Sequence, residues 1–296
     1  MIRVVENLVI RIKNYGSRYI KKLKKILGVR IQHAYKDFSI MLPADHKLPI
    51  YQRQHPQYDR FLPHFVKGIE SNSTIIDVGA NCGDTLAGMV VENSEPKYIC
   101  IEPDTAFHHA LLSNIAHIKK FHPNLDVVTV KHLIGKNLSN VLLEGTGGTK
   151  HAVVGMGTQT AMPLDEILKG IPCPPVRLLK TDVDGFDYDV IDSSRDLLLA
   201  QHPILFFECQ YDFEYQKIGF EKTIEWLGSI GYTDWTIFDN FGEVMLRTHD
   251  PQQVLQLMKY VWRQNTKAAT RTIYYFDILV GTAKNMGFIS DALNTY

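Results

Sequence analysis

An α/β fold built on a doubly wound, mostly parallel sheet is predicted by three observations. From Thr74 onward, apolar strand-like runs alternate with helix-like segments. The stretch Ser73-Thr74-Ile75-Ile76-Asp77-Val78-Gly79-Ala80-Asn81-Cys82-Gly83-Asp84-Thr85 reads as a buried strand breaking into a glycine loop that opens a helix. A second apolar run, Tyr98-Ile99-Cys100-Ile101-Glu102-Pro103, ends in a carboxylate, and an acid at that place can accept both hydroxyls of a ribose.

The chain has 296 residues, 45% of them hydrophobic, enough for one large α/β domain with additions. Formal net charge is zero and no basic stripe crosses the core region, so nothing electrostatic points to a nucleic-acid substrate. Cys82, Cys100, Cys173 and Cys209 are scattered without a CxxC pair; they are expected as buried small hydrophobes in a reducing cytosol rather than as disulfides or zinc ligands. No segment has the unbroken apolar length of a membrane span and no signal-peptide pattern is visible, so a cytoplasmic location is expected.

Residues 1–45 are read as a basic N-terminal extension and residues 46–296 as the main domain. In its first thirty residues Arg3, Arg11, Lys13, Arg18, Lys21, Lys22, Lys24, Lys25 and Arg30 stand against the single acid Glu6, with Val5, Leu8, Ile12, Tyr15, Tyr19, Leu23 and Ile26 at helical spacing. Such an amphipathic helix packs its apolar face on the domain or on a second copy, or lies on the inner face of an anionic membrane. From Pro43 to Pro63 the prolines and polar aromatics predict an extended connector, leading into a short helix near Tyr58 to Ile69; Tyr51, His55 and Tyr58 are placed where they can line a site.

Seven strands are predicted, at 74–79, 97–102, 126–133, 176–183, 203–209, 234–239 and 273–281. Helices are expected over Asp84 to Glu92, Thr105 to Lys120, Leu164 to Lys169, Asp187 to Leu199 and Glu214 to Ile230. The glycine-rich stretches Glu144 to Lys150 and Gly155 to Gly157 predict a hairpin inserted between the third and fourth strands. The last strand is expected to pair antiparallel with Trp235 to Phe238 at the sheet edge.

The loop residues distinguish two cofactor classes. A dinucleotide fingerprint needs glycine where Ala80-Asn81 stand, and the acid Asp77 just before the loop would repel a diphosphate. The same acid suits the cationic end of S-adenosylmethionine (SAM). Polar residues at the carboxyl ends of the strands are the candidates for chemistry, and Asp77, Glu102, Asp182 and Glu208 fall there. If the fourth strand stays extended, Lys180, Asp182 and Asp184 share one face, as an ion-pair cluster or as groups for proton transfer.

Asp77-Val78-Gly79-Ala80-Asn81-Cys82-Gly83-Asp84, Glu102-Pro103, Pro163-Leu164-Asp165-Glu166-Ile167-Leu168, Leu179-Lys180-Thr181-Asp182-Val183-Asp184-Gly185-Phe186-Asp187 and Phe207-Glu208 occur in the order and approximate spacing of the FkbM family of SAM-dependent methyltransferases. The chain resembles that family over roughly residues 45–285. Where the family usually has Ile-Asp-Val-Glu-Gly, this chain has Thr181-Asp182-Val183-Asp184-Gly185, with the second acid shortened. The resemblance implies a class I, Rossmann-like methyltransferase sheet of seven strands with the last antiparallel, and methyl transfer to a hydroxyl of a sugar, surface glycan or natural product. By position it places Asp77, Gly79, Asn81 and Gly83 around the methionyl part of SAM, Glu102 at the ribose, and the adenine near Lys131-His132-Leu133.

An acceptor alcohol needs a base within hydrogen-bond reach; Asp182 is the first choice, with Asp184 and Glu208 behind it and Lys180 supplying a nearby positive charge. A magnesium ion held by the same acids is the less favoured arrangement. The rival readings are a nicotinamide-dependent dehydrogenase, disfavoured by Asn81, and a non-catalytic SAM- or glycan-binding module.

Overall fold

The computed structural model describes residues 30–296 except 137, 146, 147, 268–270 and 272. The amphipathic stretch expected over the first 29 residues lies outside the described residues. Residues 30–43, read from the sequence as part of that extension, instead form an antiparallel hairpin of β1 (Arg30–Ala34) and β2 (Ser39–Pro43). Alternation explains its placement: Ile40 and Leu42 of β2 are buried, while Met41 between them faces outward.

The proline-rich connector is not extended. It holds α1 (Leu48–Gln54), because Pro49 stands in the first turn, where a missing N–H costs nothing. The short helix expected next is α2 (Phe61–Phe65), continued by a 3-10 turn over Val66–Gly68.

In the main sheet β3 (Thr74–Val78) pairs in parallel with β4 (Lys97–Ile101), and β4 with β5 (Val127–Val130). Helices α3 (Asp84–Glu92) and α4 (Thr105–Ile118) make these crossovers; Asp104 caps α4 by accepting from the amides of Ala106 and Phe107. The chain then leaves the sheet for the hairpin β6 (Val141–Glu144) and β7 (His151–Val154), and returns through α5 (Leu164–Lys169). Next, β8 (Val176–Thr181) pairs with the other side of β3. This reversal of direction is the topological switch point, where α/β sheets place their ligands.

After β8 the predicted helix over Asp187 to Leu199 is broken into α6 (Asp187–Asp192) and α7 (Arg195–Gln201). The hydroxyls of Ser193 and Ser194 both donate to the Val190 carbonyl, a local alternative to helix continuation. The chain proceeds through β9 (Ile204–Gln210), α8 (Glu214–Ser229), β10 (Tyr232–Asp239), β11 (Val244–Thr248), α9 (Pro251–Lys267), β12 (Tyr275–Thr282) and α10 (Met286–Thr295).

The sheet order is β11-β10-β12-β9-β8-β3-β4-β5, an eight-stranded sheet rather than the seven expected. The extra strand, β11, is an antiparallel edge strand with a largely exposed face. The last strand, β12, runs antiparallel as expected, but between β9 and β10 rather than at the edge.

Both sheet faces are covered, which the doublets in the central strands record. Ile75 and Leu178 join the core under α3 and α4, whereas Ile76 and Leu179, one residue on, join the core under α6, α7 and α8. Phe38, Ile40 and Leu42 of the hairpin belong to the first of these cores.

Candidate functional site

The glycine loop leaves β3 in a tight turn. Gly79 has φ +80°, and a Cβ there would run into the Asp182 carbonyl, so the loop and the end of β8 touch backbone to backbone. The amides of Gly79 and Ala80 donate to the Ile101 carbonyl at 2.9 and 3.0 Å, tying the loop to β4. Asn81 is left-handed, with φ 49°, and Gly83 at φ 85° starts α3.

Glu102 is anchored from two directions. Its carboxylate accepts the Asn81 amide at 2.9 Å and the Asp104 amide at 2.7 Å. Burial, outweighing those two bonds, pushes its carboxyl up to about 7. It faces a cavity of about 60 Å³ lined by Gly79, Asn81, Phe107, Leu133, Ile134 and Phe186, among others. Apolar walls and a carboxylate held by two backbone amides beside a glycine loop suit a nucleoside. The inserted hairpin narrows this slot: Asn81 Nδ2 donates to the Gly148 carbonyl at 2.6 Å, and Lys150 Nζ lies 2.5 Å from Asp104.

At the end of β8, Lys180 is fully enclosed. Its Nζ is 2.9 Å from Asp77 Oδ1, 3.7 Å from Asp182 Oδ2, and donates to the Gly79 carbonyl at 3.2 Å. Burial opposes the ammonium charge, but Asp77 and Asp182 outweigh it and hold the pKa well above the usual lysine value. A second cavity, of about 260 Å³, opens on the far side of Asp182 and is lined by Asp59, Arg60, Asp84, Lys180, Asp182 and Asp277, with Phe61, Phe206 and Phe238 as its aromatic wall. Asp182 lines both cavities, and its side chain is half exposed into them.

Acids crowd this junction, and burial raises each of those described next. Asp59 is pushed up to about 7 by burial and then by Asp84 and Asp182; its exposed surface faces the cavity. Asp184 is pushed up to about 8 by burial, Asp182 and Asp187. Asp187, whose carboxylate accepts the Thr181 hydroxyl, rises to about 7. Burial and Asp182 also raise Glu208 and Asp277 well above the ordinary carboxylate range. Glu208 and Asp277 are cross-strand partners on β9 and β12.

The sequence-predicted residues divide accordingly. Gly79, Asn81, Glu102 and Asp184 line the smaller cavity, Lys180 the larger, and Asp182 both. Asp77 lies beneath the loop as the ion-pair partner of Lys180 and lines neither cavity, and Gly83 serves as the helix start. Lys180, Asp182 and Asp184 do not share one strand face: β8 ends at Thr181, and Asp184 and Gly185 turn the chain at φ 53° and 93°. Glu208 is buried behind the cavities. His132 is turned toward the Leu133 carbonyl at 2.9 Å, leaving Leu133 and Ile134 on the slot wall in its place. His55 stacks on Phe241 at 3.9 Å and Tyr51 packs edge-on against Tyr58, while Gln52, Gln57, Asp59 and Arg60 from the same segment reach the larger cavity. Asp59 and Asp277 carried no sequence signal, since each is an isolated acid whose neighbours come from distant strands.

The four cysteines are free thiols, three of them buried. Among the described residues, the metal-type donors gathered within 4.8 Å of one another are His46, Cys82 and Asp84, rather than the acids around Lys180. No helix of the described residues is long and apolar enough to cross a membrane.

Comparison with known proteins adds the family. Residues 77–234 match the model of the methyltransferase FkbM domain. Among solved structures, methyltransferase FkbM from Methylobacillus flagellatus KT is similar at 13% identity and a TM-score of 0.39, over 79% of this chain and 58% of that one. This chain therefore spans only 58% of that protein's length. An O-methyltransferase from Bacillus cereus in complex with S-adenosylhomocysteine (SAH) aligns at 11% identity and TM-score 0.45, over 79% and 88% of the two chains. Aeropyrum pernix fibrillarin with natively bound S-adenosyl-L-methionine aligns at 10% and 0.38, over 71% and 66%. No curated protein sequence matches significantly. With the class I methyltransferase sheet in place and the domain match covering 77–234, the chain belongs to the FkbM methyltransferase family.

Proposed function

We propose that this protein is a SAM-dependent methyltransferase that methylates a hydroxyl of a sugar, surface glycan or related natural product. One observation carries the reading: a nucleoside-type slot and a larger polar cavity meet at a single carboxylate, Asp182. Bound SAM supplies an electrophilic methyl group on a sulfonium, with its leaving group already in place.

The chain's own residues then have two tasks, alignment and proton removal. Glu102 holds the ribose, its carboxylate fixed by the Asn81 and Asp104 amides. Gly79 and Asn81 shape the methionyl end, and Phe107, Leu133, Ile134 and Phe186 enclose the base and exclude water. Asp182 accepts the proton from the acceptor hydroxyl. Lys180, locked by Asp77, keeps that carboxylate oriented and compensates its charge. Asp184 and Glu208 stand behind Asp182 as further proton sites, and Asp59 and Asp277 offer carboxyl groups to the acceptor's other hydroxyls. The reaction belongs to the cytoplasm, with the basic residues before Arg30 serving as a contact to an anionic membrane surface or a second copy.

The test is incubation with labelled SAM and a panel of nucleotide sugars, lipid-linked glycans and polysaccharide fragments, scored by methyl incorporation and SAH release. Transfer to a hydroxyl supports the reading. SAM binding with no transfer to any acceptor makes the protein a binding module, and thermal stabilisation by NAD instead of SAM overturns the cofactor. Loss of transfer with a chelator, restored by magnesium, assigns the acids to a metal.

A further inference from the structure

The segment between β2 and α1 brings His46 against the start of α3. His46 is 8% exposed and its Nε2 has no hydrogen-bond partner. That nitrogen points at Asp84 Oδ2 from 3.6 Å, too far for a good hydrogen bond. On the other oxygen of the same carboxylate, Oδ1, the Cys82 Sγ stands 3.8 Å away. Cys82 is fully buried. Three donors of different softness thus converge, joined by a long hydrogen bond from the Cys82 thiol to Asp84 and leaving the His46 nitrogen unpartnered.

One ligand atom from each of the three lies within 4.8 Å of the others. Ligand bonds of about 2.0 Å to imidazole nitrogen and carboxylate oxygen and about 2.3 Å to thiolate sulfur put tetrahedral ligands roughly 3.3–3.5 Å apart. The 3.6 and 3.8 Å contacts run to the two different oxygens of Asp84, so a bound ion would draw the three ligand atoms together. We propose that His46, Cys82 and Asp84 bind one zinc-type divalent cation. Sulfur, nitrogen and a single carboxylate select a borderline-soft ion and disfavour magnesium or calcium, which prefer all-oxygen shells.

The surroundings fix the donors in place. Asn114 Nδ2 donates to the Cys82 carbonyl at 2.8 Å, and Tyr35 Oη to the Asp84 carbonyl at 2.9 Å. The Leu48 amide approaches His46 Nδ1 at 3.3 Å, a long bond in the metal-free ring. On loading, the thiol proton leaves to solvent, the imidazole proton moves to Nδ1, and that weak contact is exchanged for a bond from Nε2 to the metal. Three protein ligands leave a fourth position open to water. Because Asp84 also lines the larger cavity and Gly148 packs on the His46 ring, the ion ties the N-terminal segment to the cofactor loop and the inserted hairpin.

The experiment uses the full chain, stripped with a chelator and titrated with Zn²⁺ against a chromophoric competitor, then with Co²⁺ while thiolate-to-cobalt charge-transfer absorption is recorded. One ion per chain and a charge-transfer band are expected. Cys82→Ala abolishes the band, and His46→Gln weakens binding by more than about tenfold. Cys173→Ala, which removes the half-buried thiol elsewhere, leaves both unchanged. Wild-type protein that shows no thiolate band, or a band that survives Cys82→Ala, overturns the proposal. Should Cys82→Ala fail to fold, the wild-type spectrum and the His46→Gln affinity decide it.

Discussion

The Lys180 ammonium sits 2.9 Å from Asp77 Oδ1, and neither side chain is more than 3% exposed. The two residues are register partners on adjacent parallel strands, β8 and β3, so the pair spans the switch point of the sheet. Lys180 and Lys36 are the two lysines on the walls of the larger cavity among the described residues. Asp182, two residues on and just past the end of β8, shares the same ammonium from 3.7 Å.

Breaking that pair from one side leaves a buried charge without compensation. Lys180→Met is expected to destabilise the fold by about 3–5 kcal/mol, measured by urea unfolding. Asp77→Asn combined with Lys180→Met removes both charges and recovers a substantial part of the loss. Equal losses in the single and double variants would mean that packing, not the charge, is what Lys180 contributes.

Glu102→Ala removes the anchored carboxylate from the slot. SAM affinity is expected to fall by the worth of a charged hydrogen-bond pair, about 2 kcal/mol or more, with the fold retained. Calorimetry reads this directly, and unchanged affinity would move the ribose elsewhere.

Asp182→Asn keeps the shape of the side chain that lines both cavities and removes its basicity. SAM affinity is expected to change little while turnover drops by roughly 10²–10⁴. Near-normal turnover on the true acceptor would make Asp182 structural and direct attention to Asp184, Glu208 or Asp277.

The crowded acids also set a pH dependence. Glu102 and Asp187 are raised to about 7 and Asp184 to about 8, against ordinary values of 3.8 to 4.5, burial being the first cause in each. Each binds a proton more readily folded than unfolded. The stability they contribute is therefore complete below the unfolded values and is lost as pH rises through 7 to 8. Ligand-free protein should melt higher at pH 6 than at pH 8.5, by roughly 2–4 °C per kcal/mol of linkage. A flat or opposite profile in scanning calorimetry would show that these carboxyls are solvated more fully than their positions indicate.

Much of the candidate site is legible in the sequence because it is local. The strand–glycine–helix run at 74–85 and the acid closing the next strand each lie within one stretch of chain, where periodicity and turn chemistry act. The break at Ser193-Ser194 and the turn at Asp184 escaped for the opposite reason: a helix-like or strand-like pattern continues through both, and side-chain hydrogen bonding or a left-handed residue overrides it. Likewise the proline-rich, polar-aromatic composition around Pro49 points to an extended connector, whereas the proline sits in the first turn of α1, where it fits a helix.

The sequence by itself determined the α/β alternation, the glycine loop, Glu102 at the strand end and the acid-rich close of β8, since each is a short-range pattern of residue types. Only the tertiary structure decided that Asp77 belongs to Lys180, that β12 lies between β9 and β10, and that residues 30–43 pack into the core. It also brought Asp59 and Asp277 to the cavity beside Asp182 from far along the chain. Such pairings depend on which distant segments become neighbours, and that is settled by burying both faces of the sheet at once, a condition no single stretch of sequence records.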